Sequence, residues 1–291
     1  EVTIFEESDR LGGMCNLIPD KRLNKSVLKS DIEFLLSLGN ISIKNNQRVE
    51  DAESLLDDYD AVLVAAGLSK PFVLNIGGSE HTIDWITYLR NYKKMKLKGK
   101  NVAIIGGGAV DCAIVAKDSG AETVELFALE KLSELPLTKK EFEELIEYNI
   151  HISFRTRIKS VKKRKDGLLL ETVKVFLKED TKFHPSLVKD VRGTEQTRYG
   201  FDFIVQAVGA RGAFNKVDKK GVFYAGDFIN GPKTVVEAVA SGKNAASRID
   251  AFLRRERQPK IKKDFKSVYV LKGLIRTPVL LNTKFFEQDI V

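Results

Sequence analysis

An α/β fold of two βαβ-type domains is what three features of this sequence predict. First, Asn101-Val102-Ala103-Ile104-Ile105 runs directly into Gly106-Gly107-Gly108. A buried parallel strand that breaks into glycines brings bare backbone to a helix N-terminus, where phosphates can approach closely. Second, Tyr59 to Gly67 and Phe203 to Gly209 share an apolar-to-glycine ending, which implies a duplicated architecture. Third, Gly226-Asp227 and Asn230-Gly231-Pro232-Lys233-Thr234 form another cluster far downstream. Together they predict two Rossmann-like dinucleotide-binding domains, one inserted into a discontinuous other.

The opening Val2-Thr3-Ile4-Phe5 reads as a parallel strand, and Glu6 at its end is placed to hydrogen-bond a ribose diol. It reads as the second strand of its unit, so the first strand, its glycine turn and its helix are expected ahead of Glu1. Asn24 is expected to cap a helix in which Leu28, Ile32 and Leu35 recur at i, i+4 and i+7, ending at Gly39. A short strand from Ile41 to Ile43 and a short helix around Glu53 to Leu56 lead to the run from Tyr59 to Gly67. Its small ending, Ala66-Gly67, lets a ligand approach the backbone. Pro71 and Gly77-Gly78 then punctuate a domain crossing.

The inserted unit starts with a helix from Trp85 to Lys93 and the strand Val102 to Ile105. After the glycines come a helix to about Ser119, the strand Val124 to Phe127 and a helix from Lys139 to Tyr148. Strands are expected at Ile152–Phe154, Ile158–Val161, Leu168–Leu170 and Thr172–Lys178, with Phe203 to Gly209 closing the unit. The chain returns through a strand from Gly221 towards Asp227 and a helix from Thr234 to Leu253. The expected division is 1–78 and 211–255 for one domain in two parts, 79–210 for the inserted domain, and 256–291 for a basic C-terminal extension.

Composition narrows the function. The 291 residues are 43% hydrophobic and 30% charged, ordinary for a globular protein with two cores. No apolar run reaches the roughly 20 residues that span a bilayer, and no signal-peptide pattern opens the chain, so a cytoplasmic, non-membrane protein is expected. Cys15 and Cys112 are the only cysteines, too few for a four-thiolate cluster or a zinc site. No metal site is expected here, and any iron-sulfur cluster must sit on other sequence or another subunit. The net charge of +8 includes Lys162-Lys163-Arg164-Lys165-Asp166-Gly167, read as a solvated hairpin tip, and Arg254, Arg255, Arg257, Lys260, Lys262 and Lys263, read as a solvated tail. Neither run has the aromatic interleaving of a nucleic-acid module, so no nucleic-acid partner is expected.

The order Leu11-Gly12-Gly13, Ile18-Pro19-Asp20-Lys21-Arg22-Leu23, Asp60 to Gly67, Gly106-Gly107-Gly108, Gly226-Asp227 and Asn230 to Ala238 resembles the glutamate synthase small-subunit family. This is the dihydropyrimidine dehydrogenase type of FAD–NAD(P) oxidoreductase, similar to the pyridine nucleotide-disulfide oxidoreductases. The resemblance spans about residues 1 to 253. It implies that 1–78 and 211–255 hold FAD and that 79–210 hold a nicotinamide nucleotide. It also implies that electrons leave for an iron-sulfur domain or partner oxidoreductase subunit. By the same resemblance Glu6 would hold the adenosine ribose of FAD, and Gly12-Gly13 would pass close to the flavin. Asp227 would bind the ribityl or pyrophosphate region. Thr234 and Val235, with Gly231 in the preceding turn, open a helix whose N–H groups and positive dipole end would face the flavin. Ala66, Gly67, Gly209 and Gly226 complete the expected cofactor-binding set.

Three departures from that family shape the expectation. Asp111 stands where G-x-G-x-x-G places a small residue for close helix–strand packing, and relatives carry about two more residues before the corresponding Asp. After Val124 to Phe127, NADPH-binding relatives place paired arginines, whereas this chain has Leu129-Glu130. Glu130 lies 24 residues after Gly106, near the ~20-residue offset at which an acid binds a 2′-hydroxyl and repels a 2′-phosphate. NADH is favoured over NADPH, with Lys131 left as a candidate phosphate partner and a solvated charge as the other reading of Glu130. Leu11-Gly12-Gly13-Met14-Cys15 resembles the redox segment of disulfide reductases, but the partner cysteine is replaced by Asp20, so Cys15 is expected to be structural. No side chain is expected to act as catalyst, because the cofactors carry the chemistry. The alternative is a noncatalytic, degenerate nucleotide-binding subunit of an oxidoreductase complex.

Overall fold

The chain opens with β1 (Val2–Phe5), α1 (Lys25–Ser37), β2 (Ile41–Lys44), β3 (Val62–Val64), β4 (Lys70–Pro71), β5 (Ile83–Asp84), α2 (Trp85–Asn91) and β6 (Asn101–Ile105). It continues through α3 (Val110–Asp118), β7 (Thr123–Phe127), α4 (Lys139–Glu147), β8 (His151–Ser153), β9 (Thr156–Arg164) and β10 (Gly167–Phe176). Then follow β11 (Lys189–Asp190), β12 (Gln196–Phe201), β13 (Phe203–Gln206), β14 (Ala210–Arg211), β15 (Val222–Tyr224), α5 (Asp227–Asn230) and α6 (Val235–Leu253). This computed structural model describes residues 1–259, so the expected basic extension lies almost wholly outside the described residues.

Five strands in the order β5-β13-β6-β7-β8, all parallel, form the central sheet of the middle of the chain. Parallel sheets are covered on both faces, which is why β6 is apolar at every position from Val102 to Ile105. On one face Val102, Ile104 and Leu126 pack with Tyr88, Leu97, Ile114 and Leu145 from the helical side. On the other, Ala103, Ile105, Phe127 and Ile204 meet Ile158, Val161 and Leu170 from an antiparallel sheet. Burying a side chain such as Ile104 completely contributes about 1.5–3 kcal/mol. Several helices start where short polar side chains cap them. Asn24 Oδ1 accepts from the Ser26 N–H at 2.8 Å, and Thr138 with Glu141 forms a capping box on α4.

The antiparallel sheet corrects the sequence reading in two ways. Leu168–Leu170 and Thr172–Lys178 are not two strands but the single β10, central between β9, β11 and β12. Its register against β9 shifts between Glu171 and Thr172. Glu171, which reads as a break, instead accepts from Ser160 and Lys162 across the ladder. β11 and β12 were not foreseen, because Gln196–Phe201 is largely polar and contains Gly200, leaving no apolar alternation to read. The β9–β10 hairpin is as expected, although its turn is only Lys165-Asp166 and Lys162 to Arg164 lie in the strand.

The flanking segments form smaller sheets. β1 pairs with β2 and β3 with β15, each a two-stranded parallel sheet hydrogen-bonded to no other. Leu28 and Ile32 of α1 close over Gly12, whereas Leu35, expected on the same buried face, is 57% exposed. β4 and β14 run antiparallel with Lys70 opposite Arg211 and Pro71 opposite Ala210, and mark the crossing into and out of the middle segment. Packing against that segment begins directly after β4. The Leu74 N–H donates to Gln206 Oε1 at 2.6 Å, and Gly77 bridges to Ser160.

Candidate functional site

Of the glycines after β6, Gly106 is the one at which backbone itself forbids a side chain. Gly106 has φ +134°, and a Cβ there would lie 2.2 Å from the Ala207 carbonyl at the end of β13. A Cβ on Gly107 would meet Leu135 at 2.5 Å and the Glu130 carboxylate at 3.0 Å. The Glu130 carboxylate therefore lies over the loop. Burial pushes its carboxyl pKa up, and the backbone N–H groups of Glu130 and Leu129 oppose this only in part. Ala109 precedes α3 without a side-chain cap, leaving the first N–H groups of the helix open to an anion. Asp111, expected to disturb packing of the helix on the strand, does not. Val110 and Ala113 fill that contact, and Asp111 turns outward to Arg22.

Below β7, Arg155 could offer a phosphate partner, but it is already engaged. Its Nη1 donates to the Leu129 carbonyl and its Nη2 to Glu134, both at 2.8 Å.

At the end of β1, Glu6 Oε1 accepts from the Ser8 N–H at 2.8 Å and from the Ser8 hydroxyl at 2.7 Å. Gly12 and Gly13, with φ +109° and +48°, lead into a tight 3₁₀ turn, Gly13–Asn16. Cys15 in that turn is half-buried, and burial raises its thiol pKa with Lys25 opposing. Cys112 is buried, and burial likewise pushes its thiol well up. Neither cysteine is poised as a thiolate.

Ala66 and Gly67 follow β3, and Gly209 follows β13. The Gly209 carbonyl accepts from the Phe72 N–H at 3.0 Å and the Trp85 indole at 3.2 Å. A Cβ on Gly212 would lie 2.7 Å from the Phe228 ring and 3.6 Å from the Gly67 carbonyl. The two glycine endings, one from each sheet system, thus flank the β4–β14 crossing, Gly67 three residues before β4 and Gly209 directly before β14.

Gly226 donates its N–H to Ser241 at 3.0 Å and introduces α5, which Gly231 ends. Asp227 Oδ1 is buried and has no hydrogen-bond partner. Burial, with Glu237 adding to it, raises the Asp227 pKa. A buried acceptor left unpaired is costly, and a ligand presenting hydroxyls at this point would satisfy it. Thr234 caps α6 in a capping box with Glu237, and Val235 is its first residue.

The sequence reading missed the roles of Lys21 and Arg22. Arg22 donates to Asp111 and, at 2.7 Å, to Glu141, with Glu144 at 3.9 Å. Lys21 donates to Asp118 at 2.7 Å and to the Tyr148 hydroxyl. Partners about a hundred residues apart leave no local signal; only the Ile-Pro-Asp-Lys-Arg segment itself stood out.

Residues 4–242 match the family profile of the pyridine nucleotide-disulphide oxidoreductases. The NADP(+)-dependent formate dehydrogenase subunit beta of Moorella thermoacetica is 30% identical over 88% of this chain and 41% of its own length. The NAD-dependent dihydropyrimidine dehydrogenase subunit PreT of Escherichia coli is 30% identical over 87% of this chain and 63% of its own length. The chain thus spans about half the length of these relatives. Among solved structures, FprA from Mycobacterium tuberculosis in complex with NADPH superposes with a TM-score of 0.64 at 17% identity, over 87% of this chain and 77% of that one. Thioredoxin reductase from T. acidophilum gives 0.59 at 14%, over 86% and 88%. These likenesses show a shared fold with Rossmann-like α/β domains. The chain belongs to the pyridine nucleotide-disulphide oxidoreductase family, the FAD-containing NAD(P)H-dependent oxidoreductases.

Proposed function

We propose that this chain is the FAD- and nicotinamide-binding module of an electron-transfer oxidoreductase of the glutamate synthase small-subunit type. Electrons from NADH pass through the flavin to an iron-sulfur domain or partner subunit. Residues 1–78 with 211–255 form the flavin part, and 79–210 the inserted nicotinamide part. The observation that carries the reading is that the two glycine endings flank one crossing: Gly67 lies three residues before β4 and Gly209 directly before β14, and Gly212 packs on Phe228 beside the Gly67 carbonyl. Hydride exchange needs its two reacting rings in contact, and a fold that opens both sheets onto one crossing can bring them there.

When bound, the two cofactors supply the hydride chemistry. The chain holds and orients them. Gly106, Gly107 and Gly108 with the start of α3 would take the nicotinamide pyrophosphate, and Glu130 a ribose diol. Glu6 would take the adenosine ribose of FAD, Asp227 a hydroxyl of its linker, and the N-terminus of α6 its ring. Gly12, Gly13, Ala66, Gly67, Gly209, Gly226 and Gly231 would let backbone approach. NADH is favoured because Glu130 overhangs the loop while Glu134 engages Arg155. The relatives described above are themselves named as subunits, which supports a partner for this chain.

The test is anaerobic mixing of the flavin-loaded full gene product with NADH and with NADPH, following flavin absorbance. Bleaching by NADH is expected, and Glu130→Arg should move the preference towards NADPH by about tenfold through a charge-assisted phosphate contact. A tenfold preference of the wild type for NADPH would overturn the nucleotide assignment. One observation favours a noncatalytic nucleotide-binding subunit instead: the flavin part's parallel sheet is divided into β1–β2 and β3–β15. A gene product that takes up no FAD would establish that second reading.

A further inference from the structure

We propose that Arg22 is a positioning residue for the nicotinamide nucleotide. It neutralises Asp111 in the first turn of the pyrophosphate-binding helix, and it ties that helix to the flavin-side segment. The inference rests on assigning the loop after β6 to the nucleotide.

The helix N-terminus at α3 is an unusual place for an unneutralised acid when an anion must bind there. Asp111 is the second residue of α3, one position past the uncapped N–H group that begins it. Left alone, its carboxylate competes with a pyrophosphate for the positive end of the helix and repels it directly. Glu141 and Glu144 of α4 face the same spot, so three carboxylates surround one guanidinium. Arg22 donates to Asp111 through Nη1 and to Glu141 through Nη2. The forked, always charged guanidinium suits this dual contact, which a lysine ammonium could not reproduce with the same geometry.

The segment that carries Arg22 is firmly seated. Lys25 Nζ donates to the backbone carbonyls of Cys15, Ile18 and Leu23, folding the loop on itself. Leu17 packs on the core of the inserted unit, Lys21 binds Asp118 and Tyr148, and Asp20 lies 3.8 Å from Lys93. Residues 17–23 therefore belong by packing to the nicotinamide side, although they follow the Gly12-Gly13 turn of the flavin side. Asp111 occupies the third position of the glycine motif because its partner comes from this segment. A small residue there would leave Arg22 without its acceptor on α3.

Titration calorimetry with NADH on the full chain tests this. Arg22→Gln, close in shape but neutral, should weaken NADH binding about tenfold, equivalent to about 1.4 kcal/mol. Asp111→Asn should bind NADH at least as well as wild type. The double variant Arg22→Gln with Asp111→Asn should return to within about threefold of wild type, since removing the acid removes the need for its counter-charge. A purely structural role would leave the double variant as weak as Arg22→Gln, and that result, or wild-type affinity in Arg22→Gln, would overturn the proposal. Should Arg22→Gln fail to fold by circular dichroism, Arg22→Met replaces it: a tenfold loss that Asp111→Asn restores supports charge compensation, and wild-type affinity overturns it. Absence of NADH binding in the wild type would instead overturn the nucleotide assignment on which the proposal rests.

Discussion

At the residue scale, Asp227 would set stability against the proposed FAD binding. Burial raises its pKa, so the folded chain holds that proton more tightly than the unfolded chain. Stability is therefore lost as pH rises from the ordinary carboxylate value through the raised folded value. Asp227→Asn should melt higher than the parent above that interval and equally below it, in the absence of FAD. The same variant should hold FAD about tenfold more weakly, because the free acceptor on the buried oxygen is altered. Thermal melts at pH 3 and 7, beside an FAD titration, decide both. Cys15 makes the opposite prediction. No second thiol stands near it, and its pKa is raised, so Cys15→Ser should leave electron transfer from NADH to a dye within about threefold of wild type. Asp227 was legible in the sequence through its Gly-Asp and Asn-Gly-Pro context. Arg22 was not, since the contact with Asp111 closes only when two segments fold together.

At the element scale, the glycine loop after β6 is held by the backbone of a neighbouring strand. Gly106→Ala places a methyl on the Ala207 carbonyl and imposes a left-handed φ, so a loss of more than about 2 kcal/mol is expected in denaturant unfolding. Gly39→Ala, which meets open space without such a φ, should stay within about 0.5 kcal/mol. Similar losses for both would refute a constraint specific to Gly106. The strand–glycine–helix succession was readable in advance, because an apolar run that breaks into glycines has few other uses. The reason Gly106 must be glycine was not readable, because the obstructing carbonyl, that of Ala207, lies a hundred residues away just past β13.

At the scale of the whole molecule, the two small parallel sheets make the last prediction. β1 and β3 each present an unpaired edge, and Val2, Ile43 and Leu63 are exposed beside them, as are Phe34, Leu35 and Leu38 of α1. A parallel strand between them, with a glycine turn at its end, would join β2-β1 to β3-β15 and add the backbone donors an FAD pyrophosphate needs. We expect the chain beginning at Glu1 to bind FAD weakly, and a version carrying such a βα segment ahead of Glu1 to bind it at least a hundredfold more tightly. Calorimetry on the two proteins checks this, and equal affinity would refute it.

The sequence by itself determined the α/β class, the succession of strands and helices around Gly106 and Asp227, and the absence of paired cysteines. Each of these depends on local pattern: a buried parallel strand must be apolar throughout, a helix must be capped, and a dithiol must have two sulfurs. Tertiary structure alone decided that β10 is one strand, because the cross-strand partners of Glu171 remove its cost in mid-strand. It also decided that Asp111 faces Arg22 and that Gly67 and Gly209 flank one crossing. Those outcomes are contacts between residues far apart in the chain, and distance in sequence carries no record of distance in space.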